Sequence, residues 1–98
     1  MFKEPWSDIS EYPKKHKLAL ETELKKELGT NHSLFGNSVN LLAKREDRDD
    51  LLLKSSSTFY IVHLTWSGAE ESAGYPLIDV FETELELEAK LAEDSLYF

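Results

Sequence analysis

The sequence predicts a small α+β domain: an N-terminal helix, a three- to four-stranded antiparallel meander sheet, and a C-terminal helix packed on the sheet. Three observations carry this. Leu20, Leu24 and Leu28 recur every four residues in a Lys/Glu-rich stretch, three β-like runs joined by short polar connections follow, and residues 82–96 are rich in Leu, Glu and Ala. Both helices are expected on one face of the sheet. With 98 residues, 41% of them hydrophobic, the chain suits one domain with one core, spanning 1–98.

Residues 1–13 read as an irregular segment, with Pro5 and Pro13 and two aromatic rings, Trp6 and Tyr12, that should lie against the body. Pro13 suits a helix start, where its missing N–H costs nothing. The helix runs from about Lys14 to Leu28, with Leu18 beside the leucine stripe, Lys and Glu on the other face, and Gly29 as a left-handed stop. Thr30–Asn37 reads as a loop. Val39, Leu41 and Ala43 alternate with Asn40 and Lys44 and predict a strand to about Arg45. Glu46-Asp47-Arg48-Asp49 is a charged turn, Leu51–Leu53 a second strand, Ser55–Ser57 a second turn, and Thr58–Trp66 a third strand. Ser67–Pro76 is a loop and Leu77–Phe81 a short edge strand. Residues 82–96 alternate with period two, yet Leu85, Ala89, Ala92 and Leu96 also fit one helical stripe. Thr83-Glu84-Leu85-Glu86 matches a capping box, so helix is preferred.

Charge is uneven. Residues 1–45 carry eight Lys/Arg and six Asp/Glu, whereas residues 46–98 carry three and thirteen, a net of −10 in a chain of net −8. An acidic half disfavours nucleic-acid phosphate and leaves open a basic protein partner, while an acidic surface also simply aids solubility. No cysteine is present, which excludes a disulfide framework and a thiolate zinc site. No apolar run approaches a membrane span and the N-terminus lacks an apolar signal core, so a soluble, cytoplasmic protein with no membrane partner is expected.

Phe59–Trp66 is apolar on both alternating faces, which marks the central strand, and it carries His63 where an aliphatic residue is usual. A histidine there is either satisfied by core partners or put to use as a base or ligand. His32, in the loop after the first helix, and Asp50, at a strand start, are the candidates to join it. Thr65, Trp66, Glu70, Glu71 and Tyr75 are the candidate binding residues at the end of the same strand and in the loop beyond. His16 lies on the polar side of its helix. The three histidines form no local metal motif, and Asp47–Asp50 lacks the glycine and the glutamate of a calcium loop, so no metal and no cofactor is expected. No nucleophile elbow, phosphate loop or dinucleotide fingerprint occurs.

The combination His32-x-Leu34-x-Gly36, Asp49-Asp50-x-Leu52 and Val62-His63-Leu64-Thr65-Trp66 resembles a family of bacterial proteins of about this length. Their upstream H-x-L-x-G segment and a downstream Glu and Pro are matched by Glu70 or Glu71 and Pro76. The resemblance covers residues 30–76 and implies a shared fold and a shared His/Asp/Thr/Trp cluster, without a reaction. Some of these proteins are labelled as related to ADP-ribosyl-dinitrogen-reductase hydrolases, which are much larger helical proteins with a two-metal carboxylate site; this chain is too short for that architecture.

The leading functional expectation is a protein-interaction module, of immunity-inhibitor or adaptor type, that uses its acidic C-terminal half and is not an enzyme. A small hydrolase or ligand-binding protein built on His63, His32 and Asp50 is the alternative, and a structural homodimer paired through edge strands is a third reading.

Overall fold

The computed structural model describes residues 4–27, 39–48, 50–64 and 78–96. They form an α+β fold around one antiparallel sheet whose spatial order equals its sequence order: β1 (Trp6–Asp8), β2 (Asn40–Arg45), β3 (Asp50–Ser55), β4 (Thr58–His63) and β5 (Ile78–Phe81). A 3₁₀ turn (Ile9–Glu11) and helix α1 (Lys14–Glu27) separate β1 from β2, and helix α2 (Glu84–Ser95) follows β5.

The sheet has five strands where three or four were expected. The extra one, β1, lies inside the stretch read as irregular. Three residues are too few for a readable period, and the strand is made by its partner: Trp6, Ser7 and Asp8 pair with Arg45, Lys44 and Ala43. The Glu46 N–H donates to the Pro5 carbonyl at 2.6 Å.

The helices lie on opposite faces, not on one. β3 and β4 are apolar on both sides, and each side needs a cover. Leu51, Leu53 and Val62 pack with Ile9 and with Leu20 and Leu24 of α1. Leu52, Phe59, Ile61 and Ala43 pack with Trp6 and with Leu87 of α2. In β2 the expected alternation fails: a bulge between Leu41 and Ala43 turns Leu41 toward α1 and Ala43 toward α2. The β3–β4 hairpin turns through Ser56 at φ 56°, the left-handed value that mirror-image hairpin turns require.

α1 begins directly after Pro13, whose carbonyl accepts from His16 and Lys17. Its inner side is less apolar than the leucine stripe implies. Glu23 and Glu27 are buried, each with a polar partner, while Leu18 is exposed. Tyr12 anchors the helix entry. Its ring stacks on His16 with centroids 4.8 Å apart, and its hydroxyl donates to the Glu46 carboxylate. Burial and then that carboxylate push the Tyr12 hydroxyl up to about 12.

α2 starts at the expected capping box: Thr83 Oγ1 accepts from the Glu86 N–H, and Glu86 accepts from the Thr83 N–H, each at 3.1 Å. Leu87 and Asp94 are its buried residues and Leu91 is half-buried. Leu85, Ala89, Ala92 and Leu96 face solvent, with Leu85 77% and Leu96 80% exposed.

This orientation predicts opposite costs for two leucines on one helix. Leu87→Ala should destabilise the domain by about 2–3 kcal/mol, and Leu85→Ala by less than about 0.5 kcal/mol, in denaturant unfolding.

Candidate functional site

One end of the α2-facing side of the sheet is polar. Trp6 pairs with Arg45 across β1 and β2, Arg45 and Asp50 flank the β2–β3 turn, and Asp50 pairs with His63 across β3 and β4. Four strands therefore place Trp6, Arg45, Asp50 and His63 in one row. β5 adds Asp79, the pairing partner of Ile61, on the same side.

His63 sits between two carboxylates. Its Nδ1 lies 2.9 Å from Asp50 Oδ1 and its Nε2 lies 3.0 Å from Asp79 Oδ2. Asp50 is buried, while Asp79 is exposed. A carboxylate only accepts, so both contacts are hydrogen bonds together when both ring nitrogens carry a proton. The neutral ring makes one and turns a lone pair toward the other carboxylate. Asp50 stands where an orienting carboxylate stands in a base dyad. The nitrogen that would then address a substrate is already engaged by Asp79. The arrangement clamps the short edge strand β5 to β4.

The second polar cluster centres on Asp94. Its Oδ2 accepts from Trp6 Nε1 at 2.8 Å, and its Oδ1 lies 2.8 Å from Lys90 Nζ and 3.2 Å from an Arg45 guanidinium nitrogen. Arg45 also pairs with Asp47 through two contacts, Nε–Oδ1 at 2.6 Å and the second at 3.3 Å. Burial alone would raise the Asp94 carboxyl, but the hydrogen bonds from Lys90 and Trp6 and the charges of Lys90 and Arg45 hold it below the usual range. Burial opposes the charge of Arg45 too, and Asp47, Asp94 and Asp50 together more than offset it, so its proton is held more tightly than usual.

Beside α2 an open groove of about 220 Å³ runs over the sheet. Leu42, Leu52, Phe59, Leu87 and Leu91 line it, with Glu84 and Glu88 at its rim. The Lys54 ammonium sits 5.5 Å above the Phe59 ring.

Of the residues singled out from sequence, Asp50 and His63 are brought together. His32, Thr65, Trp66, Glu70, Glu71 and Tyr75 lie outside the described residues, as do Leu28, Gly29 and Pro76. Asp79, Asp94, Arg45 and Trp6 were not anticipated as site residues. The signals existed: Asp79 shares a period-two face with Phe81, and Asp94 falls seven residues after Leu87, inside the buried stripe. Among the described residues, no group of three or more His, Asp or Glu is arranged to hold a metal ion, and no helix is long and apolar enough to cross a membrane.

No protein-family model, no curated protein and no solved structure matches this chain, so its function is to be read from its own residues.

The lowered Asp94 carboxyl has a definite pH signature. Its stabilisation is fully present above the ordinary unfolded value near 4 and is lost as pH falls through the lowered native value. Asp94→Asn should cost about 2 kcal/mol at pH 7. The gap between variant and parent should narrow as pH is lowered below about 4, so the variant's stability falls less steeply in acid.

Proposed function

We propose that this domain is a protein-interaction module, of adaptor or inhibitor type, that receives a basic partner on the outer side of α2. The observation that carries this is the pairing of exposed apolar surface with acid. Leu85, Ala89, Ala92 and Leu96 form a solvent-facing stripe, and the exposed carboxylates Glu84, Glu86, Glu88 and Glu93 border it on both sides. Scattered exposed leucines mean little, but a contiguous stripe with a charged rim has the anatomy of a binding surface. The groove beside α2 adds apolar area bordered by Glu84 and Glu88.

The excess of acid over residues 46–98 steers a cationic partner toward this side and repels an anionic one. A hydrolase built on His63 has less support, because Asp79 engages the Nε2 atom on which it would depend.

Two matched amphipathic peptides, one cationic and one anionic, test this by fluorescence anisotropy. The cationic peptide should bind, and its affinity should fall at least fivefold between 50 and 300 mM salt. The triple variant Glu84→Lys, Glu88→Lys, Glu93→Lys should bind it at least tenfold more weakly, with an unchanged far-ultraviolet circular dichroism spectrum. Binding indifferent to peptide charge or to salt overturns the reading.

A further inference from the structure

We infer that the partner on α2 is itself a helix, packed in coiled-coil register, with an apolar seam flanked by Lys or Arg. This rests on the interaction reading above and specifies the partner's chemistry and shape.

The solvent-facing apolar residues of α2 and its C-cap are spaced 4-3-4: Leu85, Ala89, Ala92, Leu96. That is the spacing of alternate d and a positions in a heptad, the pattern by which one helix holds another along a continuous seam. A single amphipathic helix lying on its own sheet needs one apolar side. α2 already has one, in Leu87 and Leu91, which face the sheet. The 4-3-4 seam lies on the opposite side and serves no contact within the described residues.

The residues bordering the seam say what it receives. In the heptad frame Glu86 and Glu93 take e positions and Glu88 and Ser95 g positions, where charge sets partner choice. Three of the four are acidic and none is basic. A second copy of α2 would bring glutamates against glutamates, so the seam does not pair with itself. The α1 helix of a second copy offers lysines but one exposed leucine, Leu18, which is too little for a seam. A helix with Leu-like residues at a and d, and Lys or Arg at e and g, meets both demands. Glu86 is held by the cap through the N–H groups of Glu82 and Thr83, so Glu88 and Glu93 provide the principal charge contacts. Ala89 and Ala92 at the centre leave room for large partner side chains, and Leu85 and Leu96 close the seam at each end. The seam spans about 16 Å, which is three turns of helix.

The test uses the full chain and three synthetic three-heptad peptides. One has Leu at a and d with Lys at e and g. The second has the same composition with leucines and lysines alternating. The third has the heptad spacing with Glu in place of Lys. The first should bind at least tenfold tighter than the other two and gain helicity on binding. Backbone amide shifts should concentrate at Leu85, Ala89, Ala92 and Leu96. Ala89→Phe should weaken it at least tenfold by blocking close approach. Glu88→Lys with Glu93→Lys should transfer preference to the Glu peptide, a gain of binding that misfolding cannot mimic. If the two Lys peptides bind equally, the coiled-coil inference falls and the interaction reading stands. If neither binds, both fall. Salt-sensitive self-association of the chain that occupies the same amides also overturns the inference, because the occupant is then a second copy.

Discussion

The carboxylate of Asp94 joins the two ends of the described chain, and the disposition of α2 depends on it. It accepts from the Trp6 indole in the first strand and lies against Arg45 in the second and Lys90 on its own helix. α2 has two candidate inner sides. One holds Leu85, Ala89, Ala92 and Leu96, and the other holds Leu87, Leu91 and Asp94. Apolar area alone does not choose the observed side, since the first offers two alanines besides its two leucines. Asp94 does, because on the first alternative Trp6 Nε1 and the guanidinium of Arg45 would face the core of a rotated helix without this acceptor. Unpaired buried donors are costly, at about 1–3 kcal/mol each and more when charged. The helix settles with its acid inward and its second apolar stripe in water.

The same logic organises the rest of that side of the sheet. Arg45 is a buried cation in contact with Asp47 and Asp94 and within the field of Asp50. Asp50 in turn is held to His63, and His63 to Asp79. Basic and acidic side chains interleave along the row, and each has a polar partner beside it. No buried side-chain nitrogen or oxygen among the described residues lacks a hydrogen-bond partner. A row of this kind rewards one register only, since a one-residue slip in any strand sends its polar members to the α1 side. His63 is thereby a registration device as well as a clamp on β5.

Much of this fold was legible in the sequence, for identifiable reasons. The capping box at Thr83 and the hairpin around Ser56 are local, and local chemistry is what sequence reports well. Apolar residues on both sides of Phe59–Val62 announce a strand covered twice, and placing both helices on one face overlooked what that requires. β1 was unreadable because three residues carry no period and owe their form to Arg45, Lys44 and Ala43. The bulge at Leu42 hides for the same reason: it is visible only when β3 fixes the register. At the site, Asp50 and His63 were found because a polar residue in a strand is conspicuous. Asp94 was missed because an aspartate in an acidic helix looks like every other surface acid until Arg45 and Trp6 face it.

Placing the helices on opposite sides also separates the charge. The outer side of α1 presents Lys14, Lys15, Lys25 and Lys26, all exposed, whereas the outer side of α2 presents Glu84, Glu86, Glu88 and Glu93. Had both helices covered one side of the sheet, as first expected, these charges would lie next to one another and largely cancel. With a sheet between them they produce two unlike surfaces about 20 Å apart, beyond the roughly 8 Å screening length at physiological salt. Each surface is then sensed independently by an approaching molecule. The two sides of the sheet present charge of opposite sign to an approaching molecule. The placement of the helices on opposite faces, against the sequence expectation of one face, is therefore what separates the lysines of α1 from the glutamates of α2 among the described residues.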